Sequence, residues 1–254
     1  MKSQCMYQSS SKKLPVYILM AVCAFMLSTR SMAGSADWSS TNFQYLYGTD
    51  YNTGLGGDDT RSIFTLEHVN GWKYGDNFFF LDTTNPTRTG TSNYAEYSPR
   101  ISFGKVSGKD LSVGFIKDFL LTGTLEVGNG FHNNLYGIAA DLDIPGFSFF
   151  QFNWYIRDEA TANDDGYQIT LAWGYPFKIG SADMTFEGFF DYAYGLDNSE
   201  DNIITAPRLL VDVGKFFGKP GAVQAGIEYQ IWNNQFGVKG QDEDVAQLMV
   251  KWIF

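Results

Sequence analysis

The sequence predicts an all-β protein, a transmembrane antiparallel up-and-down β-barrel of about twelve strands. The first observation behind this prediction is the alternation of the last ten residues, 245–254, since a strand has a side-chain period of two. One face carries Gln247 and Lys251, and the other carries Ala246, Leu248, Val250, Trp252 and Phe254. The second is an aromatic content of 17%, because the interfacial girdles of membrane barrels use Trp, Tyr and Phe.

The amino terminus, residues 1–36, is predicted to be a secretory signal peptide. Two lysines precede the apolar run 14–27, and small residues follow that run. This order is typical of a signal with a cleavage site, here after Ala33 or Ala36. A retained anchor is the alternative, although the apolar run is short for a spanning helix. The barrel domain is expected to occupy residues 37–254.

Cysteine content and charge exclude several classes of function. Cys5 and Cys23 are the only cysteines, and both precede the predicted barrel domain, which removes thiol nucleophiles, thiolate metal sites and disulfides from that domain. Residues 1–33 hold four of the 18 Lys and Arg residues and none of the 28 acids, so the mature chain has 14 bases and a formal charge of −14. Nucleic-acid binding needs clustered cations, and we do not expect it.

Residues 38–254 divide into about twelve alternating segments, each roughly 8–11 residues long, the length of tilted strands that cross a membrane. The first is Trp38–Tyr47. In 147–157, Phe152 and Trp154 oppose Asn153 and Tyr155. Further alternating segments, in chain order, are 95–103, 167–177, 207–215, 223–232 and 245–254. Most of their polar faces include charges, which favours a wet lumen on one side and lipid on the other.

The connections alternate in character as well. Short turns are predicted at 71–76, 104–109, 144–146, 178–181 and 217–221. Longer polar loops are predicted at 48–60, 83–93, 122–133, 158–165, 195–205 and 233–243. A barrel with short periplasmic turns, long outer loops and periplasmic termini has this arrangement. A soluble barrel of lipocalin type would have the opposite polarity, and aromatic residues near strand ends, such as Trp173 and Tyr175, favour the membrane form.

Residues 94–118, YAEYSPRISFGKVSGKDLSVGFIKD, resemble the nucleoside-specific channel-forming outer-membrane proteins, the Tsx-like or OmpK family. The strand Glu96-x-x-Pro99-Arg100-x-Ser102 and the segment 110–114 carry the resemblance, with further similarity at 65–82, 137–155 and 166–191. The resemblance implies a monomeric twelve-stranded barrel in the outer membrane with a narrow channel for nucleosides. The alternating strand that ends in Phe254 also resembles the signal that the outer-membrane assembly machinery recognises. Outer-membrane lipid and lipopolysaccharide are the other expected partners.

Parity along the strands selects the residues that we expect to line the lumen. A nucleoside is uncharged, so its path needs aromatic faces and hydrogen-bonding groups; Tyr155, Phe189 and Trp232 are candidates for the faces. The full set is Glu67, Glu96, Arg100, Asp118, Asp141, Asp143, Asn153, Tyr155, Arg157, Glu187, Phe189, Asp191, Arg208, Asp212, Glu228 and Trp232. In the structural alternative, the charged members form an ion-pair network that supports the barrel.

Other functions find less support in the sequence. His68 and His132 are the only histidines, and neither belongs to a G-x-S-x-G or H-E-x-x-H motif, so we expect no enzyme, cofactor or metal. An outer-membrane hydrolase is the less favoured alternative. A surface receptor or a structural barrel without selective transport is the alternative, since acidic loops such as that around Asp242 are suited to binding divalent ions. Their spacing matches no defined calcium loop.

Overall fold

The computed structural model describes residues 36–86, 91–160 and 164–254, and these form a single antiparallel sheet. The predicted signal peptide lies outside the described residues. The strands are β1 (Ala36–Gly48), β2 (Arg61–Trp72), β3 (Gly75–Thr84), β4 (Ser92–Ser102), β5 (Ile116–Gly128), β6 (Phe131–Leu142), β7 (Phe149–Glu159), β8 (Gly166–Ile179), β9 (Ala182–Tyr194), β10 (Asn202–Thr205), β11 (Arg208–Asp212), β12 (Val223–Asn233) and β13 (Glu243–Ile253). A short helix, α1, spans Phe103–Ser107, and 3-10 turns span Gly214–Phe217 and Gln235–Gly237.

The sheet closes on itself because β1 pairs with β13, from Asn42 opposite Ile253 to Gly48 opposite Gln247. The strands β10 and β11 lie end to end, and each pairs with β9 and with β12. They are separated at Pro207, whose ring nitrogen has no hydrogen to donate to the ladder. The thirteen segments therefore make twelve barrel strands, and the predicted strand number is confirmed.

The two faces of the sheet have opposite character. On β13, Leu248 is 66% exposed and its neighbour Gln247 is 1% exposed. Polar side chains on the inner face, such as Gln44 and Gln247, are buried, whereas apolar ones such as Tyr136 cover the outer face. This polarity is that of a membrane barrel and opposite to that of a soluble one. None of the helices in the described part of the chain is long and apolar enough to cross a membrane.

The connections differ from prediction in three places. The predicted loop 122–133 is instead a hairpin, in which Asn129 and Gly130 join β5 to β6 and Gly130 has a φ of +92°; Asn-Gly is favoured in such tight turns. The predicted turn at 104–109 belongs to a longer connection, 103–115, that contains α1. The predicted loop 195–205 ends early, because β10 begins at Asn202.

The contrast in length between the two ends of the barrel is consequently weaker than predicted. We call the end that carries Ala36 and Ile253 the terminal end, and the opposite end the distal end. The terminal end has connections 73–74, 103–115, 143–148, 180–181 and 213–222. The distal end has connections 49–60, 85–91, 129–130, 160–165, 195–201 and 234–242.

Candidate functional site in the barrel interior

Two cations cross the barrel interior and join carboxylates from distant strands. The Lys251 ammonium lies 2.7 Å from Glu187 and 4.0 Å from Glu67. The Arg208 guanidinium lies 2.5 Å from Glu228, 3.6 Å from Glu187 and 3.8 Å from Glu67. We call these five residues the ion-pair belt. Around the wall, β2 and β9 are separated by β1, β13, β12 and β11, so the belt links nearly opposite sides of the barrel.

An apolar core fills the interior on the same side as the belt. Leu46, Leu210 and Met249 are 3%, 0% and 2% exposed, and Ile63 packs against them. These residues come from β1, β11, β13 and β2, which lie together in the wall. Inward apolar packing is more typical of a small filled barrel than of a wide aqueous pore. This side of the interior is therefore occupied by packed side chains.

Tyr51, in the distal connection 49–60, extends this packing toward the distal end. Its side chain is 4% exposed, and its hydroxyl donates to Gln247 at 2.5 Å. The Arg61 guanidinium lies 4.3 Å from the centroid of its ring. Burial raises the pKa of the Tyr51 phenol, so it stays protonated as a donor. Because Gln247 in turn donates to Glu228 at 2.8 Å, the connection is joined to the belt.

The opposite side of the interior holds a second ion-pair cluster. The Arg157 guanidinium donates to both carboxylate oxygens of Glu126 at 2.7 Å, and to Glu159 at 2.6 Å. It also donates to Gln168 at 2.7 Å. Nearby, Tyr155 is 4% exposed with its hydroxyl 3.0 Å from that of Thr122. Such closely paired guanidinium and carboxylate groups are strong and directional, and they stabilise the β5–β8 wall.

A third cluster organises the terminal end. Arg100 donates twice to Asp76 at 2.8 Å and once to Asp141 at 2.8 Å. Asp118 accepts from Ser102 and from the Gly104 backbone amide, and so holds the start of α1 against β5. These contacts favour the structural alternative for Arg100, Asp118 and Asp141.

Two of the candidate residues lie at the terminal end of the barrel, where Asp143 is exposed and Asp212 is buried. Asp143 lies just beyond the end of β6, with its side chain 73% exposed and 3.7 Å from Lys117. Asp212 accepts from the backbone amides of Lys215 and Gly221. It therefore shapes the connection 213–222.

Glu96 and Asp191 are inward carboxylates that form no ion pair within the described part of the chain. Glu96 accepts from the Tyr94 hydroxyl at 2.7 Å, and Asp191 accepts from Thr170 at 2.5 Å. Glu96 lies directly opposite Glu126 in the ladder between β4 and β5, and Asp191 lies directly opposite Thr170 in the ladder between β8 and β9. These two groups are consequently available as acceptors for a solute hydroxyl or amine.

A row of four inward aromatic rings runs beside Glu96. Ring centroids are 5.9 Å apart for Phe78 and Phe80, 5.8 Å for Phe80 and Tyr94, and 6.3 Å for Tyr94 and Phe131. Phe80 lies directly opposite Glu96 in the ladder between β3 and β4, which fixes its direction toward the interior. We call these four residues the aromatic ladder. Neighbouring rings pack on one another as tilted aromatic pairs, and together they form a continuous aromatic strip on this wall of the interior.

The aromatic candidates differ in how deeply their side chains are buried. Tyr155 is buried and hydrogen-bonded, so its ring is not available for stacking. Trp232 packs on Phe236 at 4.7 Å near the distal end and donates to Asn202. Phe189 is half-buried on β9. Asn153, also a candidate, is 3% exposed, and its Oδ1 has no partner among the described residues.

The aromatic ladder was not predicted from the sequence. Phe78 and Phe80 share the parity of Asp76 and Asp82 on β3, and this signal was present in the sequence. Phe79 lies between them and faces outward, and a run of three identical residues hides the alternation. The inward direction of Phe131 was not predicted either, because residues 122–133 were expected to form a loop.

Of the two histidines, His68 lies at the outer surface and His132 lies near a strand end. His68 Nδ1 is 2.7 Å from the Thr41 hydroxyl on the lipid-facing side, and its Nε2 is 3.2 Å from Asn70. His132 is the second residue of β6. Within the described residues, no group of three or more His, Cys, Asp and Glu side chains is placed to hold a metal ion.

Comparison with known proteins identifies the family. The family model described as "Nucleoside-specific channel-forming protein, Tsx" matches residues 33–242. The chain belongs to this family. Its members are channel-forming proteins by that description, and the closed barrel with an apolar outer face agrees with an outer-membrane location.

Two curated relatives of this Tsx-family chain are outer-membrane proteins. Outer membrane protein OmpK of Vibrio parahaemolyticus is 27% identical over 108 residues, which cover 41% of this chain and 41% of the relative. Outer membrane protein OmpK of Vibrio parahaemolyticus serotype O3:K6 (strain RIMD 2210633) is 28% identical over 114 residues, which cover 41% and 43%. The matched stretch thus spans about two fifths of these relatives.

Solved porin structures share the fold. The KdgM porin aligns with a TM-score of 0.52 at 10% identity, covering 85% of this chain and 99% of that chain. The KdgM porin in complex with disordered oligogalacturonate aligns with a TM-score of 0.50, also at 10% identity and with the same coverage. At this identity the likeness shows the fold alone.

Proposed function

We propose that this protein is a passive outer-membrane channel for small neutral solutes with a flat ring, with nucleosides as its principal solutes. The observation that carries the proposal is the aromatic ladder, Phe78, Phe80, Tyr94 and Phe131, beside the Glu96 carboxylate. The family to which the chain belongs supports it.

The chemistry of the interior suits a nucleoside. Stacking of a base on an aromatic side chain contributes about 1–3 kcal/mol, which is weak enough to allow release and strong enough to favour entry. Glu96 and Asp191 can accept hydrogen bonds from sugar hydroxyls, because neither is held by a cation in the described structure. Phe189, which is half-buried on β9, belongs to the same proposal as a lumen-lining residue, and the ion-paired candidates belong to it as the charged wall around the path.

The charge of the interior disfavours anions. The belt and the Arg157 cluster together contain more carboxylates than cations, and Arg100, Arg157, Arg208 and Lys251 are each engaged by a carboxylate. An anionic solute such as a nucleotide would enter a narrow, partly desolvated region of like charge. The oligogalacturonate of the KdgM complex is an acidic sugar, and we do not propose a similar solute here.

The placement in the envelope is part of the proposal. Residues 1–36 would be removed as a signal peptide, and the terminal end would face the periplasm in a monomer. The assembly machinery would recognise the alternating strand β13 and the Phe254 side chain that follows it. We also propose that the protein has no catalytic role, because its family consists of channels.

The experiment is uptake into proteoliposomes, with nucleosides compared to sugars of similar size. We expect nucleosides to enter faster, and Phe80→Ala to raise the half-saturating nucleoside concentration by about tenfold, as the loss of one stacked ring implies. Phe79→Ala, on the same strand but facing outward, is the matched control and should leave that concentration unchanged. Equal uptake rates for nucleosides and sugars would indicate a general pore. No uptake of either would indicate a receptor or a structural barrel.

A further inference from the structure

The two ends of the barrel carry opposite charge. The terminal-end connections contain five lysines and two aspartates, whereas the described residues of the distal-end connections contain nine acids and one base. The terminal-end lysines are Lys73, Lys105, Lys109, Lys215 and Lys219. They are spread over connections on opposite sides of the barrel, since 103–115 follows β4 and 213–222 follows β11. The connections of the terminal rim therefore carry a net positive charge that is distributed around the barrel.

Exposed apolar side chains accompany these lysines. Phe216 and Phe217 are 75% and 78% exposed, between Lys215 and Lys219 in sequence. The turn that holds them is well fixed: the Lys219 amide donates to the Gly214 carbonyl at 2.9 Å. Asp212 accepts from two backbone amides of the same connection. The two rings are consequently held out from the barrel by an ordered turn.

The connection 103–115 repeats this combination on the opposite side. Val106, Val113 and Phe115 are 56%, 60% and 61% exposed. Lys105 and Lys109 lie in the same connection, and Lys105 is tied to the Gly75 carbonyl at 3.3 Å. Cations beside exposed apolar groups are typical of segments that lie in the interfacial layer of a membrane.

Several of the lysines are free to bind a ligand. Within residues 36–86, 91–160 and 164–254, Lys73, Lys109 and Lys219 take part in no ion pair. Lys73 instead lies 4.9 Å from the centroid of the Tyr74 ring. Lys215, by contrast, is bound to Asp183 at 2.7 Å, so it stabilises the turn. These three lysines lie in connections beyond the strand ends.

We propose that the terminal rim binds the headgroups of anionic phospholipids, with Lys73, Lys109 and Lys219 on the phosphates and Phe216 and Phe217 in the boundary of the acyl chains. The charge complementarity of a positive rim and a negative headgroup layer, together with the projecting rings, commits the surface to this partner. The acidic distal end lacks the same complementarity. The proposal concerns the lipid contact and does not depend on which solute the channel passes.

The test measures the association of spin-labelled phosphatidylglycerol and phosphatidylcholine with the full barrel in vesicles. We expect phosphatidylglycerol to be preferred by roughly fivefold at the rim, the effect of one lysine near an anionic surface, and this preference to fall as salt rises. The triple variant K73Q/K109Q/K219Q should lose most of it. K239Q, an exposed lysine of the distal end, is the matched control and should keep it.

A second pair of variants tests the rings separately from the charges. F216S/F217S should weaken the association of both lipids at the rim, whereas F236S, whose ring is 61% exposed at the distal end, should not. Equal association of the two lipids with the unaltered protein would overturn the proposal. So would an equal loss of preference in K239Q and in the triple variant, because the terminal rim would then have no special role.

Discussion

Lys251 on β13 and Glu187 on β9 form an ion pair of 2.7 Å although two barrel strands lie between them in the wall. The Lys251 side chain is 9% exposed and that of Glu187 is 16% exposed. The lysine stem therefore spans the interior rather than following the wall. Together with Arg208, this pair connects strands across the interior. These contacts limit how far the opposite walls of the barrel can separate.

Removing one partner of this pair should destabilise the barrel. We expect Glu187→Gln to lower the free energy of unfolding by about 3–5 kcal/mol, because it leaves a buried cation poorly compensated. Urea unfolding in vesicles measures the change. Glu200→Gln, which breaks the exposed Lys239–Glu200 pair, is the control and should cost less than about 1 kcal/mol. Equal costs for the two variants would contradict a bracing role for Lys251 and Glu187.

Leu210 should be essential to packing although it belongs to a membrane barrel. Its side chain is fully buried toward the interior, whereas Leu209 beside it is 47% exposed on the outer face. We expect Leu210→Ala to cost about 2–5 kcal/mol through the cavity that it leaves. Leu209→Ala, measured by the same unfolding assay, should cost clearly less. A larger cost at Leu209 would mean that the apolar core does not close this side.

Cysteine accessibility should distinguish open from packed inward positions. Residues 36–254 contain no cysteine, so single substitutions can be labelled cleanly. We expect Phe80→Cys to react with a water-soluble thiol reagent and to lose ion current after labelling. Tyr155→Cys should react far more slowly, because Tyr155 is 4% exposed. Fast labelling at position 155 without effect at position 80 would show that the open path lies elsewhere.

Tyr51 should restrict the distal mouth. Tyr51→Phe removes the donor to Gln247 and should cost about 1–3 kcal/mol, since it leaves a buried acceptor unpaired. Tyr51→Ala should in addition raise the single-channel conductance, because the ring no longer fills the mouth. Leu55→Ala, an exposed residue of the same connection, should change neither quantity. If conductance is the same in both alanine variants, Tyr51 does not limit passage.

The sequence was sufficient to predict most of the architecture. The two-residue period gave the strand number and the faces of segments such as 147–157, because both faces of a membrane barrel are under strong and opposite solvent constraints. The errors fell where that period is interrupted. At residues 122–133, polar residues and an Asn-Gly pair resembled a loop. At Pro207, one barrel strand is interrupted, so that its first part, β10, was predicted to belong to a loop.

The interior contacts were less predictable than the strands. Parity places Glu67, Arg208 and Lys251 inside, but it does not pair them, since their contacts cross the barrel and depend on its closure and on side-chain length. The sequence also does not distinguish a buried inward ring such as Tyr155 from a half-buried one such as Phe80. That distinction depends on the packing of neighbouring walls.

The side chains around connection 49–60 also bear on how the barrel is completed. Tyr51 bonds to Gln247 across 196 residues of sequence, and the Asn52 amide donates to Glu243 across 191. Both contacts lie beside the seam between the first and last strands, which have the greatest separation along the chain and so the slowest expected encounter. The contacts of connection 49–60 thus stabilise the pairing of β1 with β13 once these strands have met. A closed pairing leaves no free strand edge with which another chain could pair.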